Sequence, residues 1–554
     1  MNHSSYLGEW LAFYNFITMK RLFIILISSI LIFIKGNAQI PEIVWQQCFG
    51  NNENVFANGI VPIGDGYLFG LEVLSGEGVS NYHGSYDIWL VRTDSVGTLL
   101  WEKCYGGSSS ETPFKLIKKS EDEYFIFGHA GSMDGDVQSG NNGFSDLWVV
   151  KINGQGIIQW EQTYGCEGFD TARDMILTPD GGFVMIDRIG IGGGDVSQFY
   201  GIGDCWMAKC DSLGNLEWEK TLGNTGLDNC MSMTVNSAGN IMMIGAAQWH
   251  GDLVACFPDG AWGDVWLVEL DLQGNILDQH CYGGSQYDVG YSIIELEDGY
   301  AFIGSTASND GDVSGLHDIQ ISEFTTDFWV VRLDNHMEIV WQKCLGGYRN
   351  DQPFYITSTE DGGFVVIGTT ISTDGDVSGN HSISYNYMDI WLAKINGEGE
   401  LQWQQCYGGK WAERLENPHT VLKKSDYNYV FAASSNFSPS FDVQCGTFYN
   451  YNAWLFEIDT VDTTQIAETL TQNKQLNIFP NPASNEAWLQ LPGDIDLAQA
   501  LVMFYSPTGK LLSKAQPTSN FHKIETSRLP AALYFVRLWN GSSWQSGKLV
   551  VRCQ

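Results

Sequence analysis

The stretch DLWVVKINGQGIIQWEQTYG (146–165) decides the reading of this sequence. An apolar run led by Asp146 and carrying Trp148 meets a short Asn-Gly-Gln-Gly connection. A second run carrying Trp160 follows and ends on a glycine. Two such runs joined by a tight Asn/Gly turn are a β-hairpin signal. The same phrase returns as DIWLVRTDSVGTLLWEKCYGG (87–107), DFWVVRLDNHMEIVWQKCLGG (327–347) and DIWLAKINGEGELQWQQCYGG (389–409). Its first tryptophan recurs at Trp89, Trp148, Trp206, Trp266, Trp329, Trp391 and Trp454, at intervals of 59, 58, 60, 63, 62 and 63 residues. A glycine turn before an apolar run also recurs, as PDGGFVMI (179–186), EDGYAFIG (297–304) and EDGGFVVIG (360–368). Each unit reads as four strands with a long link between the second and third. A lone four-stranded sheet cannot bury both faces, whereas seven stacked in a ring can. The fold expected is all-β: a seven-bladed β-propeller.

The phase of the repeat makes a sharper prediction. IVWQQCF (43–49) reads as a fourth strand that precedes any first strand, and the last unit stops at NAWLFEID (452–459) without one. The N-terminal strand is therefore expected to complete the seventh sheet and close the ring, since an open ring leaves two unpaired edges.

Composition agrees with a folded, exported chain. Of 554 residues, 44% are hydrophobic, 17% are charged and 62 are glycine, which excludes a disordered polymer. A net charge of −36 repels phosphate backbones, so nucleic acid is excluded as a partner and cations are favoured. Met19, Lys20 and Arg21 open a basic region, an apolar run spans 22–34, and Gly36-Asn37-Ala38 offers a small-residue cleavage site. Residues 1–38 are read as a signal region with its true start at Met19, and the mature chain is expected to have no transmembrane span. The remaining organisation expected is a propeller over 39–460, a linker over 461–474 and a smaller β-domain over 475–554.

The repeat wording, over roughly 43–460, resembles the bacterial seven-bladed propeller repeat family, which implies fold and no particular activity. The fourth unit departs most, with LGNTG (222–226) and SAGN (237–240) in place of the usual glycine phrases. The C-terminal landmarks LNIFPNPAS (476–484), VMFYSPTGKLL (502–512), IETSRLPAALYFVRL (524–538) and GKLVV (547–551) resemble the type A C-terminal sorting domain of the type IX secretion system of Bacteroidetes. Ala532 stands where that family usually has glycine. The resemblance implies a small immunoglobulin-like β-sandwich, engagement of the type IX machinery and passage across the outer membrane. It further implies removal of the domain with attachment to surface lipopolysaccharide, so the chain is expected to be secreted or held on the outer cell surface.

Candidate chemistry concentrates in the long second-to-third link, which reads DGDVQSG (134–140), GGDVSQ (193–198), DGDVSG (310–315) and DGDVSG (374–379). Alternating Asp and Gly suits calcium, which takes several hard oxygen ligands on a flexible loop. The candidate metal ligands are Asp134, Asp136, Asp310, Asp312, Asp374 and Asp376. Asx-turns account for the same residues without a metal. Asp87, Asp146, Asp204, Asp264, Asp327 and Asp389, just ahead of the tryptophans, recur too often for catalysis and are read as loop-capping acceptors. Cys48, Cys104, Cys281, Cys344 and Cys406 fill one equivalent slot in different units and are read as small buried hydrophobes; a bridge among Cys205, Cys210, Cys230 and Cys256 is left open. There is no HExxH, phosphate loop or GxSxG. The function expected is a non-catalytic scaffold that binds an extracellular glycan or protein. The alternatives are a carbohydrate-active enzyme with acids on the long-loop face and a structural surface component.

Overall fold

The computed structural model describes residues 40–551, apart from 51–53, 75, 77, 249–261, 318–324, 383–386, 437–438, 446–449, 461–475, 482, 484, 493–494, 498–499, 506–510, 528, 530–531 and 540–543. The expected signal region and linker lie outside the described residues. Among those described the fold is all-β and propeller-like. The first antiparallel sheet comprises Val55–Ile63, Gly66–Val73, Asp87–Thr93 and Leu99–Tyr105. The second comprises Glu111–Ser120, Glu123–Ala130, Asp146–Ile152 and Ile158–Tyr164. Four more of the same order follow over 172–222, 229–282, 288–345 and 351–407.

The seventh sheet has the composition that the repeat phase requires. Glu42–Phe49 pairs antiparallel with Tyr451–Asp459, and that strand pairs with Tyr429–Asn436. The sheet's first strand is split into Glu413–Arg414 and Val421–Lys423 by a segment containing the short 3-10 turn Pro418–Thr420. The first strands of the first six sheets touch in succession, and that of the seventh touches that of the first.

The third strand of each sheet is a continuous apolar run because both its faces are covered. DIWLVRT (87–93) and DCWMAKC (204–210) are buried at every position. Seven clusters of buried side chains each join two neighbouring sheets, and one of them sets Val55 and Leu71 of the first sheet against Val430 and Leu455 of the seventh. The tryptophans fill these layers: six are fully buried and Trp89 is 6% exposed. Each is worth about 5 kcal/mol of gross burial at ~200 Å² and ~25 cal/mol per Å². Every indole N–H also finds an acceptor. In six sheets it is the Glu or Gln thirteen positions on, as in Trp148 Nε1 to Glu161 Oε2 (2.8 Å) and Trp391 Nε1 to Gln404 Oε1 (2.9 Å). In the seventh it is Gln46 of the N-terminal strand (3.0 Å).

The cysteines correct part of the sequence reading. Cys48 is bonded to Cys445, whose Cα lies 5.6 Å away in the long link of the same sheet. The equivalent cysteines Cys104, Cys344 and Cys406 stay unpaired, whereas Cys48 has a loop cysteine beside it. Cys281 is likewise disulfide-bonded rather than a buried thiol. Cys205 pairs with Cys230 across the third and fourth sheets, while Cys104, Cys344 and Cys406 are free and buried as read. The C-terminal residues form a three-stranded and a four-stranded sheet around one core that includes Leu489, Phe504, Tyr534, Val536 and Leu549.

The Cys48–Cys445 bond ties the closing strand to the seventh sheet across 397 residues of chain. Cys48→Ser, Cys445→Ser and the double variant should each lose the same stability, roughly 2–4 kcal/mol in denaturant titrations. With reductant in every sample, so that the remaining disulfides are reduced alike, the wild type should fall to the level of the variants. A loss under ~1 kcal/mol would mean that the hydrogen-bonded ladder closes the ring unaided.

Candidate functional site

The long second-to-third links and the glycine-pair links between sheets lie together on one face, and the predicted aspartates hold them there. Asp134 Oδ1 accepts from Ser108 N (2.7 Å), and Asp136 Oδ2 from Gly106 N (3.2 Å). Asp310 and Asp312 repeat this on Ser285 N (2.7 Å) and Gly283 N (3.2 Å), and Asp374 and Asp376 on Tyr348 N (2.8 Å) and Gly346 N (3.4 Å). Asp195 and Asp442 do the same at Gly165 and Gly408. The six candidate metal ligands thus sit in three separate loops, each pair divided between two backbone donors of the preceding link. Among the described residues no three His, Cys, Asp or Glu side chains form a group able to hold a metal ion.

Beneath this layer lies a second set of acids. The Asp that opens each third strand is joined by the Asp or Glu that opens the next sheet, twenty-four residues later: Asp87 and Glu111, Asp146 and Asp170, Asp204 and Asp228, and so on to Asp389 and Glu413. The first glycine of each link packs between the two. A Cβ on Gly106 would stand 2.7 Å from Asp87 Oδ1 and 2.6 Å from Glu111 Oε2, and one on Gly283 would stand 2.5 Å from Asp264 Oδ1 and 2.7 Å from Asp288 Oδ2. Burial pushes Asp146 and Asp288 up to about 6, Asp228, Asp264 and Asp351 up to about 7, and Glu413 up to about 8. Histidines reinforce some junctions. His317 Nδ1 lies 2.6 Å from Asp327 Oδ2 while its Nε2 reaches within 3.4 Å of Asp376 of the next sheet; the hydrogen bond to Asp327 raises the imidazole. The expected capping role of the six recurrent aspartates is present in part: Asp146 takes Asn142 N (2.8 Å) and Asp204 takes Tyr200 N (2.6 Å).

On the same face the axis of the ring opens into a cavity of about 400 Å³. Its wall is built by β-bulges. The first strands of six sheets shift register around Asn58, Phe114, Arg173, Met231, Tyr291 and Phe354. A bulge frees one residue from the ladder and re-aims its side chain. All six except Asn58 line the cavity. In the seventh sheet the split strand sends Leu415, Glu416, Asn417 and Pro418 into the same wall. Asn417 Nδ2 fixes this insertion by donating to the carbonyls of Asn58 (2.9 Å) and Phe114 (3.1 Å). Arg414 is spent locally, with Nε 2.8 Å from Glu416 and the guanidinium over Tyr451 at 4.6 Å. Deeper in the wall, Lys115 Nζ donates to the fully buried Asp174 (2.7 Å), and His419 lies 3.3 Å from the same oxygen. Reading the sequence for acidic loops missed the cavity residues. Their signal is positional: they stand three places after the Asp or Glu that opens each sheet, the first-strand slot where the repeat is most varied.

In the C-terminal sheets the Phe-Pro-Asn-Pro phrase pins the last strand. Asn481 Nδ2 donates to Lys548 O (2.6 Å) and its Oδ1 accepts from Val550 N (2.9 Å). Residues 477–552 match the secretion system C-terminal sorting domain family. This region is a type IX sorting domain. The chain is therefore exported by type IX secretion, to the cell surface or beyond it. No curated relative matches the chain. Solved structures that the chain matches include a puromycin hydrolase (12% identity, TM-score 0.40, covering 79% of this chain). They also include a Dyadobacter fermentans protein of unknown function (10%, 0.37, 76% of this chain and 99% of that one). A third is PorZ, an essential surface component of the type IX secretion system of Porphyromonas gingivalis (8%, 0.23, 89% and 75%). The chain spans 60% of the length of the puromycin hydrolase.

Removing 475–554 should abolish export, so that surface labelling of intact cells falls to background while the truncated chain accumulates inside; normal labelling would refute the role of the sorting domain. The acid pairs set the pH response. Carboxyls held above their unfolded values bind more protons in the folded state. Their stabilisation is complete below about pH 4, where the unfolded groups are protonated too, and is lost as pH rises through 6 to 8. Unfolding free energy should rise on acidification from pH 8 to 6, on the order of 1 kcal/mol per pH unit, and Asp351→Asn should flatten that slope. A stability independent of pH in this window would show that the pairs remain ionised.

Proposed function

We propose that the chain is a secreted, surface-displayed, non-catalytic seven-bladed β-propeller over 39–460, followed by an immunoglobulin-like sorting sandwich over 475–554, and that it binds an extracellular glycan or protein ligand. The observation that carries this reading is the axial cavity: a concave site on the long-loop face, lined by residues that the bulges release from the ladder. Loops and irregular positions on a rigid scaffold are where binding resides. The acidic loops act on this reading as buttresses of the face, and calcium is not required for them to take their shape.

A second reading, a carbohydrate-active enzyme, is favoured by one pair. Burial, with Glu416 close by, pushes Glu72 up to about 7, the range of a general acid working at neutral pH.

A glycan-array screen of the exported chain, in millimolar calcium and in chelator, tests these readings together. Binding should be equal in both conditions and should weaken at least tenfold when Met231→Trp fills the cavity. Asp310→Asn/Asp312→Asn should melt earlier by the same amount in both. Binding or melting that needs calcium, with the requirement lost in the double variant, would return the loop aspartates to a metal site. Cleavage of a bound glycan, lost in Glu72→Gln, would establish the enzyme.

A further inference from the structure

The arginines of this acidic chain are mostly occupied. Arg92 lies 3.6 Å from Asp65, Arg332 bonds Asp298, and Arg414 bonds Glu416 at 2.8 Å. Arg173 differs. It stands on a bulge, lines the axial cavity, and has a buried Nε with no hydrogen-bond partner. No described residue makes an ion pair with its guanidinium. Asp187 is the acid that acts on it most, yet that carboxyl is fully buried and engaged with Asp170, and burial together with Asp170 holds it far above the usual carboxylate range. Arg173 therefore carries a positive charge without a direct ion-pair partner among the described residues, in a protein of net charge −36, inside a partly desolvated cavity. A buried charge without a partner is costly, and the arrangement is relieved by an anion from outside.

The rest of the wall limits what that anion can be. Phe114, Tyr291 and Phe354 surround the cavity, the last two edge to face at 6.1 Å between centroids, with the amide of Gln352 beside them. Aromatic faces and an amide suit a flat or cyclic body, and a volume of about 400 Å³ admits one ring with its substituents. A planar guanidinium pairs with a carboxylate through two parallel hydrogen bonds.

We propose that the axial cavity binds the carboxylate of a small ring-shaped organic acid, with Arg173 receiving the carboxylate and Phe114, Tyr291 and Phe354 packing its body. This deepens the binding reading above and rests on it. The acid could be a free aromatic acid or an acidic sugar residue, and the probes separate the two.

The test is calorimetric titration of the full exported chain at pH 7 with phenylacetate and D-glucuronate, each against its neutral counterpart, phenylacetamide and D-glucose. At least one acid should bind tenfold or more above its counterpart, and Arg173→Gln should abolish the preference. The acid that binds should also protect Arg173 from phenylglyoxal, read by peptide mapping of the wild type, which keeps the test valid if the variant does not fold. Equal affinity for acid and counterpart overturns the carboxylate assignment while leaving the cavity as the binding site. Acid preference that survives Arg173→Gln, absence of protection, or failure of all four probes to bind also overturns it. The glycan-array result stands or falls independently.

Discussion

Each four-stranded sheet carries apolar side chains on both faces, and from this the rest of the structure follows. No sheet can be satisfied alone or in a pair, because every added sheet covers one face and exposes another. Only a ring satisfies all of them, and only if its ends meet. The chain makes them meet with its first strand, Glu42–Phe49, laid against Tyr451–Asp459. That strand supplies what the fourth strand supplies elsewhere, since Gln46 accepts the indole N–H of Trp454, and just ahead of it Pro41 O accepts from the hydroxyl of Tyr407 in the sixth sheet at 2.6 Å. The Cys48–Cys445 bond adds a covalent closure at the same seam.

The seam also differs electrostatically. Six junctions bury an acid pair behind a glycine. At the seventh, Asn452 stands in the aspartate slot against Gly50, and Val55 opens the first sheet where the others use Asp or Glu. Among the described residues, the junction made by strands far apart in sequence is thus the one without a pair of buried carboxyls. At three of the others, the unpartnered oxygens of Asp146, Asp204 and Asp264 face desolvated surroundings, which favours the protonated form.

Regularity and function divide along the first strands. Aspartates of the long links, glycines, tryptophans and acid pairs repeat because every sheet needs the same joints. The bulged residues bear no load in the ladder and are free to differ, so an amide, two phenylalanines, an arginine, a methionine and a tyrosine occupy one equivalent slot. The seventh sheet departs further, exchanging a continuous first strand for an insertion that closes one side of the cavity. A regular frame and an irregular axial wall thus coexist in one fold, and the sorting domain sends it out of the cell.

The sequence by itself determined the repeat, its four-strand grammar, the position of the closing strand and the sorting domain. These depend on local periodicity and on phrases such as Phe-Pro-Asn-Pro, which a chain displays without folding. It determined which residues are special in the loops, but Asp134, Asp136 and their equivalents read equally as ligands or as turn formers; only folding showed which backbone donors come to meet them. The pairing of Cys48 with Cys445 was hidden because a disulfide is decided by Cα separation, and these two are adjacent only once the ring has closed. The cavity was hidden for a related reason. Arg173, Tyr291 and Phe354 look like ordinary strand residues until a bulge turns them from the ladder and seven strands converge on one axis, and convergence is a property of the assembled ring that no segment of the chain carries.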